Sequence, residues 1–174
     1  MVSPLNPNTT RPTNDNTLLS PRNTGRRFAI RSNGTTGEVT WTGGQVRIDG
    51  VNVFALASEP ETLDFAFDQL NRGTIVYRTT GGTCFVYFYD PTVPGFTTLN
   101  IGSGDDPAAC NDYIFGGVNT VIVYLVGSQV KYRLQADRFT VAYDLVGVTL
   151  PTIKRFGIQA STNSLAVLKT NPFE

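Results

Sequence analysis

The chain contains no histidine. That absence removes the side chain most used as a general base and the commonest metal ligand, so Ser-His-Asp and Cys-His machinery is excluded. Cysteine is nearly missing as well: Cys84 and Cys110 are the two in 174 residues. Two are too few for a disulfide framework, and without histidine they fall short of the four N or S ligands of a structural zinc site. One pair or two buried thiols remain, and the burial tendency of cysteine favours the thiols. Charge is sparse, at 16% of residues, and balanced, with 14 basic and 14 acidic side chains. Apart from Arg26-Arg27 and Asp105-Asp106 the charges are scattered, so no potential builds up to collect phosphates or anionic lipid, and nucleic acid is not an expected partner. Long hydrophobic runs are missing too. Stretches such as Thr120 to Gly127 fall far below the ~20 residues that cross a bilayer. The first residues show neither the basic nor the apolar region of a signal peptide, and the expectation is a soluble protein made in a cytoplasm, without membrane insertion.

What is present is apolar and aromatic: 40% hydrophobic residues, with seven Tyr and eleven Phe. This is enough to fill the core of one domain, in the bulky residue types that sheets favour. Residues 1–25, MVSPLNPNTTRPTNDNTLLSPRNTG, hold four prolines and many Asn and Thr. Such a segment buries too little to offset its own ordering entropy, so it reads as an extended N-terminal arm. It is either a disordered tail or a strap ordered against a neighbouring subunit through Leu18-Leu19.

From residue 26 to 174 the pattern is that of a single all-β domain. Phe28 and Ile30, Val39 and Trp41, Val46 and Ile48, and Val51, Val53 and Ala55 alternate with polar residues, with Asn33-Gly34, Gly43-Gly44 and Asp49-Gly50 between them. This predicts a four-strand meander over 26–57, and Asp49-Gly50 is the signature of a two-residue hairpin. For residues 58–72 a helix and a strand compete. Ser58 and Glu61 stand in capping-box spacing with Pro60 in the first turn, but Leu63, Phe65 and Phe67 alternate with Asp64, Ala66 and Asp68, and the strand is favoured. The aromatics from Phe85 to Tyr89 occupy both faces of one strand, which predicts burial on two sides or a place under a partner.

The second half repeats. The segment from Ile75 aligns with that from Ile122, and preceding strands are expected at 63–68 and 112–116. Blade-like units of four strands are therefore drawn at about 63–104 and 112–150, the size of a propeller blade, with a plain sandwich or meander as the alternative. Two last strands are expected at Ile153 to Ile158 and Leu165 to Leu168.

Paired carboxylates are the remaining route to hydrolysis. Asp64, Asp68, Asp105, Asp106, Asp137 and Asp144 are available, and they read better as solvated strand faces and turn-capping acids. The GSGDDP segment around Asp105-Asp106 reads as a loop without the spaced oxygen ligands of a calcium site. No catalytic, cofactor-binding or metal-ligating residue is assigned, no cofactor is expected, and the chain is read as a non-enzyme. Aromatic residues give one binding alternative, a carbohydrate-binding module that stacks sugars, such as a host glycan, on Trp41, Tyr87 and Tyr89.

The runs QVKYRLQADRFTVAYDL from Gln129, KRFGIQASTNSLAVLK from Lys154 and VTWTGGQVRIDG from Val39 resemble β-rich virion proteins of tailed bacteriophages. In those proteins a strand ending in Tyr-Arg leads through Asp-Arg-Phe or Asp-Arg-Tyr into the next. The similarity extends over roughly residues 26 to 168. It implies a structural component of the particle, present in several copies that contact each other and other virion proteins. The tail, a tail-accessory position or the head-to-tail junction is the implied place, with capsid decoration as an alternative. No functional residue is carried over.

Overall fold

The computed structural model describes residues 25–56, 60–90, 92–93, 95–111, 119–149, 158–160 and 165–167. The N-terminal arm, apart from Gly25, lies outside the described residues. All fourteen elements of regular length are strands: β1 (Arg26–Ile30), β2 (Thr36–Thr42), β3 (Gln45–Ile48), β4 (Val51–Ala55), β5 (Pro60–Phe67), β6 (Gly73–Thr79), β7 (Thr83–Tyr89), β8 (Phe96–Ser103), β9 (Asp105–Asn111), β10 (Thr120–Val126), β11 (Gln129–Leu134), β12 (Tyr143–Thr149), β13 (Ile158–Ala160) and β14 (Leu165–Val167). One 3-10 turn, Gln135–Asp137, follows β11, and the described residues hold no α-helix. The protein is all-β.

The strands form three successive antiparallel meanders of four strands each, β1 to β4, β5 to β8 and β9 to β12, followed by the β13–β14 hairpin. Within each sheet, sequence neighbours are always sheet neighbours. Hairpin chemistry explains why. Asp49 and Gly50 both adopt positive φ, at 50° and 80°, as a two-residue turn matching the twist of its strands demands. The Asp49 carboxylate also accepts the Glu38 N–H at 2.9 Å, which ties that turn to β2.

The sheets stack face to face. Ala29, Val39, Trp41 and Val46 of the first sheet meet Leu63, Phe65, Phe67, Ile75, Tyr77 and Tyr87 of the second. The opposite face of the second sheet, with Ala66, Val76, Cys84, Val86 and Phe88, meets Ala109, Ile122 and Tyr124 of the third, along with Phe139. The outer face of the third sheet is a further apolar layer, with Cys110, Val121, Val123, Leu125 and Val130 buried. First strands run closest together: β1 packs against β5, β5 and β6 against β9, and β13 against β9. Each sheet thus starts along a common inner line.

Residues 112–116, where a strand is expected, lie outside the described set, and the strand paired with β10 is Asp105–Asn111. The GSGDDP segment is therefore partly strand: Asp106 takes a positive φ of 44°, and the register slips between Val123 and Leu125 opposite it. A bulge accommodates Pro107 where sequence patterning suggested a loop. Of the strand expected at 153–158 only Ile158 is among the described residues, where it opens β13 (Ile158–Ala160). The strand at 60–67 is confirmed over the helix, since its odd positions fill one interface and its even positions the other.

Contact between the first two sheets is close at Gly37, where an added Cβ would stand 2.3 Å from the Phe67 ring. Arg31 lies over that ring, 4.4 Å from its centroid, and its Nη2 would itself stand 2.9 Å from the added Cβ, so ring and guanidinium must both shift. Gly37→Ala is expected to cost about 1–3 kcal/mol in urea unfolding. Adding Phe67→Leu should make the double variant less destabilised than the sum of the single ones.

Candidate functional site

The six aspartates considered as acid pairs are divided between a buried seam and separate surface pairs. Asp64 and Asp68 do share a face, the one turned toward the third sheet, but neither is solvated: 3% and 1% of their surfaces are exposed. Asp64 Oδ2 accepts the Ala109 N–H of β9 at 2.8 Å, and Oδ1 has no hydrogen-bond partner. Asp68 Oδ1 caps its turn by accepting the N–H groups of Leu70 and Arg72 at 2.9 and 2.8 Å. Its Oδ2 accepts Arg72 Nε at 2.6 Å and Gln135 Nε2 at 3.1 Å.

Gln135 extends that seam across the sheets. Its Oε1 accepts both the N–H and the hydroxyl of Thr120, at 2.8 and 2.9 Å, and the Thr120 and Thr74 hydroxyls are 2.8 Å apart. A continuous chain of hydrogen bonds therefore joins Arg72, Asp68, Gln135, Thr120 and Thr74, so that buried polar groups are satisfied by one another. Arg133 adds a second tie, donating to the carbonyls of Phe139 at 2.7 Å and Ile101 at 3.3 Å. No sequence signal marked Gln135, Thr120 or Arg133, whose partners lie up to 67 residues away.

Three of the other four acids hold surface positions. Asp105 pairs with Arg78 at 3.0 Å, Asp137 accepts the Tyr143 hydroxyl at 2.7 Å, and Asp144 pairs with Lys131. Asp106 is buried. Among the described residues no group of three or more Cys, Asp or Glu side chains is arranged to hold a metal ion.

The proposed sugar-stacking residues fare differently from expectation. Trp41 is 1% exposed and belongs to the first interface, because its strand position points inward with Val39. Tyr87 is stacked on Phe54 at 3.9 Å and on Phe96 at 4.9 Å between centroids, and its hydroxyl donates to the Val53 carbonyl at 3.0 Å. Tyr89 is half-buried, with Phe96 edge-on and Arg72 over its ring. These three residues do not form a shared exposed platform.

What the stack does present is one apolar end. In a meander all turns leaving odd-numbered strands lie at the same end, and side-chain contacts show that these ends coincide. The Ser32 N–H and hydroxyl meet Asn71 Oδ1 at 2.9 and 3.0 Å, and Arg138 meets Asp90 at 3.5 Å. Val51, Leu70, Val93, Phe96 and Val141 are all exposed here, five of the seven exposed large hydrophobic residues among those described. The opposite end is built from turns such as Gly43-Gly44, Gly81-Gly82 and Gly127-Ser128. At the apolar end Arg31 pairs with Asp49, Arg72 with Asp68 and Arg138 with Asp90. Most charges there are paired within the chain, Asp137 being bonded instead to the Tyr143 hydroxyl, while aliphatic side chains face outward, which suits contact with another protein surface.

Comparisons with protein-family models, curated proteins and solved structures return no match.

The two cysteines are not joined in a disulfide and occupy different layers, Cys84 between the second and third sheets and Cys110 on the far side of the third. Burial pushes the Cys84 thiol up to about 12, so thiolate is scarce at neutral pH. At pH 8 the native protein is expected to leave both cysteines unmodified by a disulfide reagent, with two equivalents reacting on unfolding. Fast reaction of the native protein would contradict this burial.

Proposed function

We propose that the chain is a structural subunit of a bacteriophage particle, in the tail or as a tail accessory, that acts by packing against copies of itself and against other virion proteins. The observation that carries the packing role is the apolar, charge-compensated loop end with Val51, Leu70, Val93, Phe96 and Val141 exposed. With its Arg–Asp pairs closed within the chain, this surface meets its own copy about a symmetry axis with little like-charge apposition. The same feature disfavours a polyanion or an anionic membrane, which would select for unpaired cations. The phage assignment rests on the likeness of the Gln129 to Leu145 segment and its companions to β-rich virion proteins. The reading puts the protein in the virion after synthesis in the host cytoplasm. Residues 1–25 enter it as the strap to a neighbouring subunit, and no turnover is required of any side chain.

Sedimentation over a concentration series tests the packing role. The full chain is expected to form a defined oligomer, and Leu70→Asp with Val141→Asp should weaken association at least tenfold while leaving the β-sheet circular dichroism unchanged. Both positions are exposed, so the substitutions spare the interior. A wild-type chain that stays monomeric at every concentration, or an oligomer indifferent to the two aspartates, would overturn the proposal.

A further inference from the structure

Asp64 is the buried ion without a surface task. It sits on β5 at the inner line of the stack, directly across from Val76 of β6 and on the face that carries Ala66, Val76 and Ala109. Its one inter-sheet bond, the Ala109 N–H to Oδ2 at 2.8 Å, spans the β5–β9 contact, while Oδ1 is buried without a hydrogen bond. An ionised carboxylate in this position has lost most of its hydration and regained only part of it.

We propose that Asp64 makes the junction between the sheets responsive to pH: with a proton on its carboxyl the β5–β9 contact is closed, and loss of that proton places an ion in apolar packing and loosens it. This goes beyond the assembly role and does not depend on it.

The charged groups on the elements packed around Asp64 are Arg26 and Arg27 of β1, Arg78 of β6, and Asp105 and Asp106 of β9, with Glu61 and Asp68 near the ends of β5 itself; Arg26 pairs with Glu38. Arg78 is engaged by Glu61, Asp105 and the Gly104 carbonyl, and Asp68 by Arg72 and Gln135. Burial is the dominant influence on Asp64. It outweighs the N–H groups of Ala109 and Phe65 and the Arg27 charge, and it lifts the carboxyl from 3.8 to about 6. Since the folded value lies above that of the free side chain, the associated stabilisation is complete below about pH 4 and is lost as the pH rises through about 6. A difference of that size corresponds to roughly a hundredfold change in the folding equilibrium.

The test compares urea unfolding of the full chain with that of Asp64→Asn from pH 4 to pH 8. Asparagine keeps an oxygen to accept the Ala109 N–H and cannot ionise. The ratio of the two unfolding constants is expected to change about a hundredfold in favour of the variant as the pH rises, with its midpoint near 6. Parallel profiles would overturn the proposal. Should the variant not fold, carbon NMR of the wild-type carboxyl decides alone: titration near pH 6, together with faster exchange of the Ala109 amide above it, supports the device, and titration at or below pH 4 refutes it.

Discussion

Strands β5 to β7 of the second sheet have little surface to give to water. They are covered by the first sheet on one side and by the third on the other, while β8 is the exposed edge, and the remaining architecture follows from that two-sided burial. A sheet in this position needs apolar side chains at successive positions, not at alternate ones. Strand β7 supplies them, with Phe85 and Tyr87 turned toward the first sheet and Cys84, Val86 and Phe88 toward the third. Strand β6 does likewise with Ile75 and Tyr77 against Val76. Because neither neighbour can be removed without exposing one of these faces, three separate local meanders behave as one body.

Polar groups trapped between the layers must then find partners inside the protein. The chain from Arg72 through Asp68 and Gln135 to Thr120 and Thr74 does this between the second and third sheets, and Tyr87 does it between the first two through the Val53 carbonyl. Such bonds are directional where apolar packing is not, so they fix how far one sheet slides over the next. A stack registered in this way holds its end loops in constant relative positions. That rigidity connects the interior to the proposed assembly role, since exposed aliphatic side chains on Leu70 and Val141 are useful to a partner only if the loops bearing them keep their spacing.

Much of this organisation is legible in the sequence. The first meander is written in clean alternation with Asn-Gly, Gly-Gly and Asp-Gly turns, and local chemistry alone specifies it. The repeat from Ile75 to Ile122 marks equivalent second strands in successive sheets. Where reading fails, the reason is long-range. Asp64 and Asp68 alternate with apolar residues and so resemble a solvated face; their partners, Ala109 and Gln135, stand 45 and 67 residues away and leave no local trace. Strand β9 was hidden because its Asp-Asp-Pro-Ala-Ala opening uses small and turn-forming residues where the chain runs close beside β5. Trp41 and Tyr87 have the composition of a binding platform, and only the packing of one sheet on another shows that they are spent on the interior.

Residue-resolved amide hydrogen exchange tests the two-sided burial most directly. If the second sheet is the middle of the stack, the amides of β6 and β7 should exchange slowest in the whole protein and only through global unfolding, with β1 to β4 opening at lower free energy. Exchange of β6 and β7 as fast as that of β1 to β4 would contradict the account, because a sheet covered on both faces cannot open before its covers.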